Sequence, residues 1–124
     1  MASKLIHSNL SESIIGAAMR VLNELKPGLD EKIYENALVI ELSKRGHQTE
    51  QQRRFPVRYD GHVVGTLVPY LIVDEAVIVD AKVVTSFVDK HVAQMIGYLS
   101  ITELSLAILV NFHDASLEWK RVVR

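Results

Sequence analysis

The sequence predicts an α/β protein in which helices flank a mixed β-sheet. Two observations predict this class. Segments with the 3.6-residue period of a helix are interspersed with apolar runs of strand length, and one predicted helix separates two of those runs. Because a helix between two strands is a natural crossover, the strands on either side of it can be parallel. The predicted element order is α-α-β-β-β-α-β-β.

The composition fits an ordinary globular protein. Hydrophobic residues make up 48% and charged residues 23% of the 124 residues, the net charge is -1, and there is no cysteine. We therefore expect one domain over residues 1–124, without a disulfide framework, a thiolate zinc site or a cysteine nucleophile. The N-terminus lacks the apolar core of a signal peptide, and no run approaches the ~20 apolar residues of a spanning helix. We expect a cytoplasmic protein that has no membrane partner.

Two helices are predicted in the first third of the chain. The first opens at Ser11 and ends at Pro27-Gly28, because proline and glycine stop helices. Its apolar stripe consists of Ile14, Ile15, Ala18, Val21, Leu22 and Leu25. The second helix starts near Asp30, a candidate N-cap residue, and runs to Arg45, with Gly46 as its stop.

Three antiparallel strands are predicted next. They cover Gln52–Tyr59, His62–Val73 and Ala76–Val83. Asp60-Gly61 is a strong hairpin signal between the first two, and Asp74-Glu75 is a polar break between the last two. These segments predict a three-stranded meander.

The last third of the chain predicts a helix followed by two strands. The helix covers about Lys90–Ile101. Ser105–Phe112 is a continuous apolar run, as expected for a strand buried on both faces, and Leu117–Val123 alternates as an edge strand does.

An acid and a base end the third predicted strand. Side chains alternate along a strand, so Asp80 and Lys82 share one face while Ala81 points to the other. Charges at the end of an apolar strand are costly to desolvate unless they have a partner or a function. The pair is therefore either a structural ion pair or part of a functional site.

The chain resembles the GxxExxY protein family, a small branch of the PD-(D/E)XK nuclease-like superfamily. The signature is Gly28-x-x-Glu31-x-x-Tyr34. Further motifs match in order and spacing along nearly the whole chain: Pro56-Val57, Asp60-Gly61, Asp80-x-Lys82, Gln94 with Tyr98, and Asn111-Phe112. The resemblance implies a restriction-endonuclease-like core.

The resemblance also implies a metal-dependent phosphodiesterase site. Asp80 would bind Mg²⁺, an ion that prefers oxygen ligands, and Glu31 would bind it directly or through water. Lys82 would orient the attacking water or stabilise charge on the phosphate. Gln94 and Tyr98 would touch the active centre or the substrate backbone. Alternatively, Glu31 is an acid favoured by the helix dipole, and Gln94 and Tyr98 make a helix-to-sheet polar contact.

The sequence departs from the family at the first catalytic acid. Where the family carries the aspartate of its PD pair, this chain has Pro69-Tyr70. A phenol has a reference pKa of about 10, so Tyr70 is neutral at pH 7 and a poor ligand for Mg²⁺. Asp74 lies four residues further on, about 13 Å along a strand, too far to replace the missing acid. We expect a vestigial site whose hydrolytic activity is absent or severely impaired.

Two functions compete at this level. One is a pseudoenzyme that assembles as a homo-oligomer or binds a partner, for example by pairing edge strands. The other is an active Mg²⁺-dependent DNA or RNA phosphodiesterase that uses Asp80, Lys82 and Glu31. A basic edge could contact nucleic acid or simply be a solvated face; it consists of Lys44, Arg45, Arg53, Arg54 and Arg58. The five histidines lack ligand spacing, which argues against zinc.

Overall fold

A computed structural model describes residues 6–124 of the chain. These residues form three helices and seven strands. The helices are α1 (Ser8–Leu25), α2 (Glu31–Lys44) and α3 (Asp89–Thr102). The strands are β1 (Thr49–Glu50), β2 (Phe55–Tyr59), β3 (His62–Leu67), β4 (Leu71–Val73), β5 (Val77–Lys82), β6 (Leu106–Asn111) and β7 (Glu118–Val123).

Five of the strands form a mixed sheet in the order β1-β4-β5-β6-β7. Strands β5 and β6 are parallel, and the other neighbours are antiparallel. Helix α3 lies between β5 and β6 in the sequence, so it is the predicted crossover. The predicted α/β class with a mixed sheet is therefore confirmed, and β7 is an edge strand as expected.

The predicted three-stranded meander is wrong. The segment predicted as one strand, His62–Val73, is split into β3 and β4 by Val68, Pro69 and Tyr70. Pro69 has no backbone N–H to donate to a ladder, which favours a break at this point. As a result β2 and β3 form a separate two-stranded ribbon, while β4 joins the main sheet.

The turn between the first two helices is held by Tyr34. Its ring is completely buried and stacks on Phe112, with 4.6 Å between ring centroids. Its hydroxyl donates a hydrogen bond to the Lys26 carbonyl at 2.6 Å and accepts one from the Leu29 N–H at 3.1 Å. Gly28 lies inside this turn with φ of +112°, a conformation that glycine adopts without strain. Tyr34 is therefore a packing residue of the core.

The helices cover the two faces of the main sheet. Helices α1 and α2 pack on one face, and α3 packs on the other. Because side chains alternate along β5, Val77, Val79 and Ala81 face α1 and α2, whereas Ile78 and Asp80 face α3.

Helix α1 begins three residues before the predicted Ser11, whose buried side chain donates a hydrogen bond to the His7 carbonyl at 2.9 Å. Within residues 6–124, no helix is both long and apolar enough to cross a membrane.

Candidate functional site

Asp80 and Lys82 lie together at the end of β5, as the alternation along the strand predicts. Nζ of Lys82 is 3.0 Å from Oδ2 of Asp80, and Asp80 is only 1% exposed. The two atoms are at ion-pair distance, but no donor among residues 6–124 has hydrogen-bond geometry toward this oxygen. The charge of the carboxylate is thus balanced by Lys82, but its buried Oδ2 lacks a hydrogen-bond donor among the described residues.

Burial dominates the electrostatics of Asp80. Desolvation raises the pKa of its carboxyl, the adjacent Lys82 ammonium lowers it, and the charges of Glu31 and Glu35 raise it again. The net pKa lies above the usual 3.8. Three carboxyl groups are therefore close enough to interact around the end of β5.

Glu31 is positioned by the first turn of α2. Its Oε2 accepts a hydrogen bond from the backbone N–H of Val83 at 3.0 Å, one residue beyond β5. The predicted helix acid therefore reaches the end of the strand that carries Asp80 and Lys82. There it satisfies a backbone donor of the segment that leaves the sheet.

Glu35 is a buried acid that the sequence reasoning missed. It lies one helical turn after Glu31, and its Oε2 accepts hydrogen bonds from Lys32 Nζ at 3.0 Å and Gln51 Nε2 at 2.6 Å. Residues four apart on a helix share a face, so the spacing from Glu31 was the available signal. Its second hydrogen-bond partner comes from a distant segment that no local pattern identifies.

Tyr70 directly precedes β4, near the end of β5 that carries Asp80. Leu71, the first residue of β4, is paired with Val79, and Tyr70 lines a cavity together with Glu31 and Ala81. Tyr70 is 49% exposed. Asp74 lies at the other end of β4, in the turn to β5, and does not replace the missing acid.

Gln94 and Tyr98 lie on α3, which covers the face that carries Asp80. Gln94 Nε2 donates a hydrogen bond to the Tyr98 hydroxyl at 3.3 Å. Burial raises the pKa of Tyr98, the nearby Tyr70 and Asp80 raise it further, and Gln94 and Lys82 lower it, with a net increase. The predicted pair is thus adjacent to the Asp80 cluster.

Asn111 fixes the chain beyond β5. Its Nδ2 donates hydrogen bonds to the Val84 carbonyl at 2.7 Å and to Glu118 Oε1 at 3.0 Å, while its Oδ1 accepts one from the Val84 N–H at 3.1 Å. Asn111 also pairs with Lys82 in the β5–β6 register. This buried amide therefore ties the strand end with Lys82 to β6 and β7.

The donor set does not fit a magnesium ion. A cavity of 140 Å³ opens beside Glu31, Lys32, Glu35, Tyr70 and Ala81. Mg²⁺ requires several oxygen ligands in octahedral geometry, usually including carboxylates. Among residues 6–124, however, no three histidines, aspartates or glutamates converge closely enough to hold a metal.

A second hydrogen-bonded cluster links three separate segments. His47 lies 2.7 Å from Ser13 through Nε2 and 2.7 Å from Asp74 Oδ2 through Nδ1, and the Gln48 N–H donates to Asp74 Oδ1 at 2.8 Å. The order of contacts is that of a serine–histidine–aspartate triad. Ser13, however, lies within α1, so we interpret the cluster as a structural tie between α1, the end of α2 and the β4–β5 turn.

The predicted basic edge is largely paired with acids. Arg53 contacts Glu50 and Glu75, each at 3.5 Å. Arg45 and Lys44 both contact Glu41, at 3.1 and 3.8 Å. These contacts reduce the net positive charge available for phosphate.

The α/β architecture, with Asp80 and Lys82 on one face of a central strand, is that of a nuclease-like fold. A family model described as the PD-(D/E)XK nuclease superfamily matches residues 8–122, and the chain belongs to this superfamily. No curated protein and no solved structure shows significant similarity to the chain. The finer resemblance to the GxxExxY branch stays a prediction.

Proposed function

We propose that this chain is a non-catalytic member of the superfamily that acts by assembling with copies of itself or by binding a partner. The observation that carries the proposal is Tyr70 itself, which stands directly before β4 where the family resemblance calls for the first catalytic acid. A neutral phenol in place of a carboxylate removes both a charge and a ligand from a site that depends on both.

The remaining acids support the same conclusion because each has a structural role. Glu31 accepts a hydrogen bond from the Val83 N–H, and Glu35 accepts from Lys32 and Gln51. Asp80 is neutralised by Lys82. To bind a divalent cation, these side chains would have to exchange existing partners for the ion, at a cost in stability.

A second candidate is the active Mg²⁺-dependent phosphodiesterase. The observation that favours it is the cluster of carboxyl groups around Asp80, since the charges of Glu31 and Glu35 both act on its pKa. In that case Glu35 would supply the acid that Tyr70 lacks. Rearrangement of Lys32 and Gln51 would have to accompany metal binding.

Calorimetric titration with Mg²⁺ and Mn²⁺ separates the two candidates. We expect no binding by the natural chain and measurable binding by Tyr70→Asp, which supplies the carboxylate that the family carries at this position. Tyr59→Asp is the matched control, because Tyr59 is an exposed residue of the β2–β3 ribbon, outside the main sheet. DNA and RNA cleavage is assayed on all three proteins. Metal-dependent cleavage by the natural chain that Glu35→Gln abolishes would overturn the proposal in favour of the nuclease.

A further inference from the structure

Among the residues that the structure describes, none pairs with the outer edge of strand β7. Its only sheet neighbour among residues 6–124 is β6, and it extends over six residues, whereas β1 at the opposite edge has two. An edge strand of this length presents unpaired backbone N–H and C=O groups to which another strand can pair.

The hydrogen bonds on the inner side show which residues of β7 face outward. The Arg124 N–H donates to the Ser105 carbonyl at 3.2 Å, continuing the β6–β7 register by one residue. Hydrogen-bonded pairs alternate with non-hydrogen-bonded pairs in an antiparallel ladder, so Glu118, Lys120 and Val122 also direct their backbone groups toward β6. The outward-facing backbone groups therefore belong to the other residues of the strand, Trp119, Arg121 and Val123.

This alternation restricts how two copies of β7 can pair around a two-fold axis. An outward-facing residue must lie opposite another outward-facing residue, or the backbone groups do not meet. The outward-facing residues have odd numbers and the others have even numbers, so the two residue numbers in every pair add up to an even number. The two-fold axis therefore passes through one residue and its copy, not between two residues. An axis through Glu118, Lys120 or Arg121 would place that charged residue directly opposite the same residue of the second copy. Like charges in directly opposite positions are destabilising.

An axis through Trp119 gives a complementary arrangement. The two Trp119 residues lie opposite each other, and Glu118 of each copy lies opposite Lys120 of the other. Two opposite-charge pairs thus form in non-hydrogen-bonded positions, where cross-strand side chains are closest. A shift of the axis by one residue in either direction brings together two copies of Glu118 or of Lys120, so the charges favour the axis through Trp119 over both neighbouring registers.

The surface beside this axis is apolar and open. A groove of 460 Å³ lies between α1 and β7, and its lining includes Ile15, Met19 and Trp119. Met19 is 48% and Trp119 43% exposed, large fractions for side chains of their size. Pairing through Trp119 would cover the two indole rings with each other and with Met19 of both copies, which removes apolar surface from water.

We propose that β7 pairs with β7 of a second copy around a two-fold axis through Trp119, so that two five-stranded sheets join into one. This proposal rests on the proposed function, and it specifies how the chain would assemble with copies of itself. The Glu118–Lys120 complementarity selects a second copy as the occupant, because the same two positions supply both partners of each charge pair.

Charge reversal tests the register. Analytical ultracentrifugation over a concentration series gives the dimer dissociation constant. We expect Glu118→Lys and Lys120→Glu each to raise it about tenfold or more, because each places like charges opposite each other twice per dimer. The double variant Glu118→Lys/Lys120→Glu should restore the natural value, and an equimolar mixture of the two single variants should form heterodimers.

Two controls separate association from folding. Lys44→Glu carries the same charge change as Lys120→Glu but lies on α2, which packs over the opposite half of the sheet, and should leave the dissociation constant unchanged. Thermal unfolding checks each variant, since Glu118→Lys also removes the hydrogen bond from Asn111. Recovery of dimerisation in the double variant, which lacks that bond too, would exclude a folding defect as the cause.

Trp119 is the only tryptophan of the chain, so its fluorescence reports directly on the proposed interface. We expect its emission to shift to shorter wavelength and its quenching by acrylamide to fall as the dimer forms.

A natural chain that stays monomeric overturns the inference, whether Trp119 is exposed or is shielded by another segment of its own chain. A dimer insensitive to both charge reversals also overturns it. Neither result bears on metal binding by Tyr70→Asp. The inference about β7 can therefore be overturned while the proposal of a non-catalytic site stands, and the reverse also holds.

Discussion

The ammonium group of Lys82 lies 3.0 Å from Oδ2 of Asp80 in a position almost closed to solvent. Burial raises the pKa of this carboxyl above its usual value in spite of the neighbouring cation. A pair of this kind contributes little net stability, because desolvation of both groups offsets their attraction.

Replacing both members of this pair should therefore stabilise the protein. We expect Asp80→Val/Lys82→Met to raise the free energy of unfolding at pH 7 by roughly 1–2 kcal/mol, as for other buried ion pairs exchanged for hydrophobic residues of similar size. Asp80→Asn alone should destabilise the fold, because it leaves the Lys82 charge partly buried without its partner. Urea denaturation measures both effects. A double variant less stable than the natural chain would show that the pair is a net stabilising contact.

Asp74 should make the free energy of unfolding depend on pH under acidic conditions. Burial raises the pKa of its carboxyl, but the Gln48 N–H and the His47 side chain lower it more, so the net pKa falls below 3.8. A depressed pKa contributes stability that is present above the unfolded-state value and is lost as the pH falls through the folded-state value. Asp74→Asn should therefore destabilise the protein at pH 7 and have little effect near pH 2.

Thermal unfolding of Asp74→Asn across this pH range checks the sign. Asp60→Asn, in the exposed turn between β2 and β3, is the matched control. An Asp74→Asn defect that stays constant with pH would mean that the carboxylate charge is not what stabilises the β4–β5 turn.

Tyr34 should stabilise the α1–α2 turn through its hydroxyl as well as its ring. Tyr34→Phe keeps the stack on Phe112 but leaves the Lys26 carbonyl and the Leu29 N–H without this partner. We expect a loss of about 1–2 kcal/mol in the free energy of unfolding. Tyr59→Phe, at an exposed position of the ribbon, should change stability little. Equal effects of the two substitutions would contradict this role of the hydroxyl.

Gly28 should be required for its backbone conformation alone. An added Cβ would meet no atom within 4 Å, but φ of +112° is strained for any residue with a side chain. We expect Gly28→Ala to cost about 1–2 kcal/mol in the free energy of unfolding. Gly65→Ala in β3 is the control, because its surroundings are equally open and its φ lies outside this strained region. Chemical denaturation of both variants measures the difference.

Local patterns were enough to predict the parts of the fold that local chemistry determines. The helix periods and the apolar run at β6 predicted the α/β class, and the alternation along β5 placed Asp80 and Lys82 on one face. The break at Pro69 also had a local signal, the missing N–H. The apolar residues on both sides of it favoured one continuous strand, which is why the predicted meander was wrong.

Contacts between distant segments could not be read from the sequence in this way. Glu35 is satisfied by Gln51, sixteen residues away, and His47 meets Asp74 across twenty-seven residues. A buried acid and an exposed acid look alike in sequence when their partners are set by tertiary packing. Asp80 and Lys82 were therefore predicted from their shared strand and Glu31 from the family resemblance, whereas Glu35 was missed because its burial depends on contacts such as that with Gln51.

The parallel pairing of β5 with β6 also affects when this chain can fold during synthesis. Strand β6 has all six residues buried, and β5 cannot complete its ladder until Leu106–Asn111 has been made. Until then β5 lacks its neighbour at one edge, and incompletely covered apolar segments of this kind are where nascent chains associate with one another or with chaperones. The sheet therefore stays incomplete from the synthesis of β5 until β6 has been made.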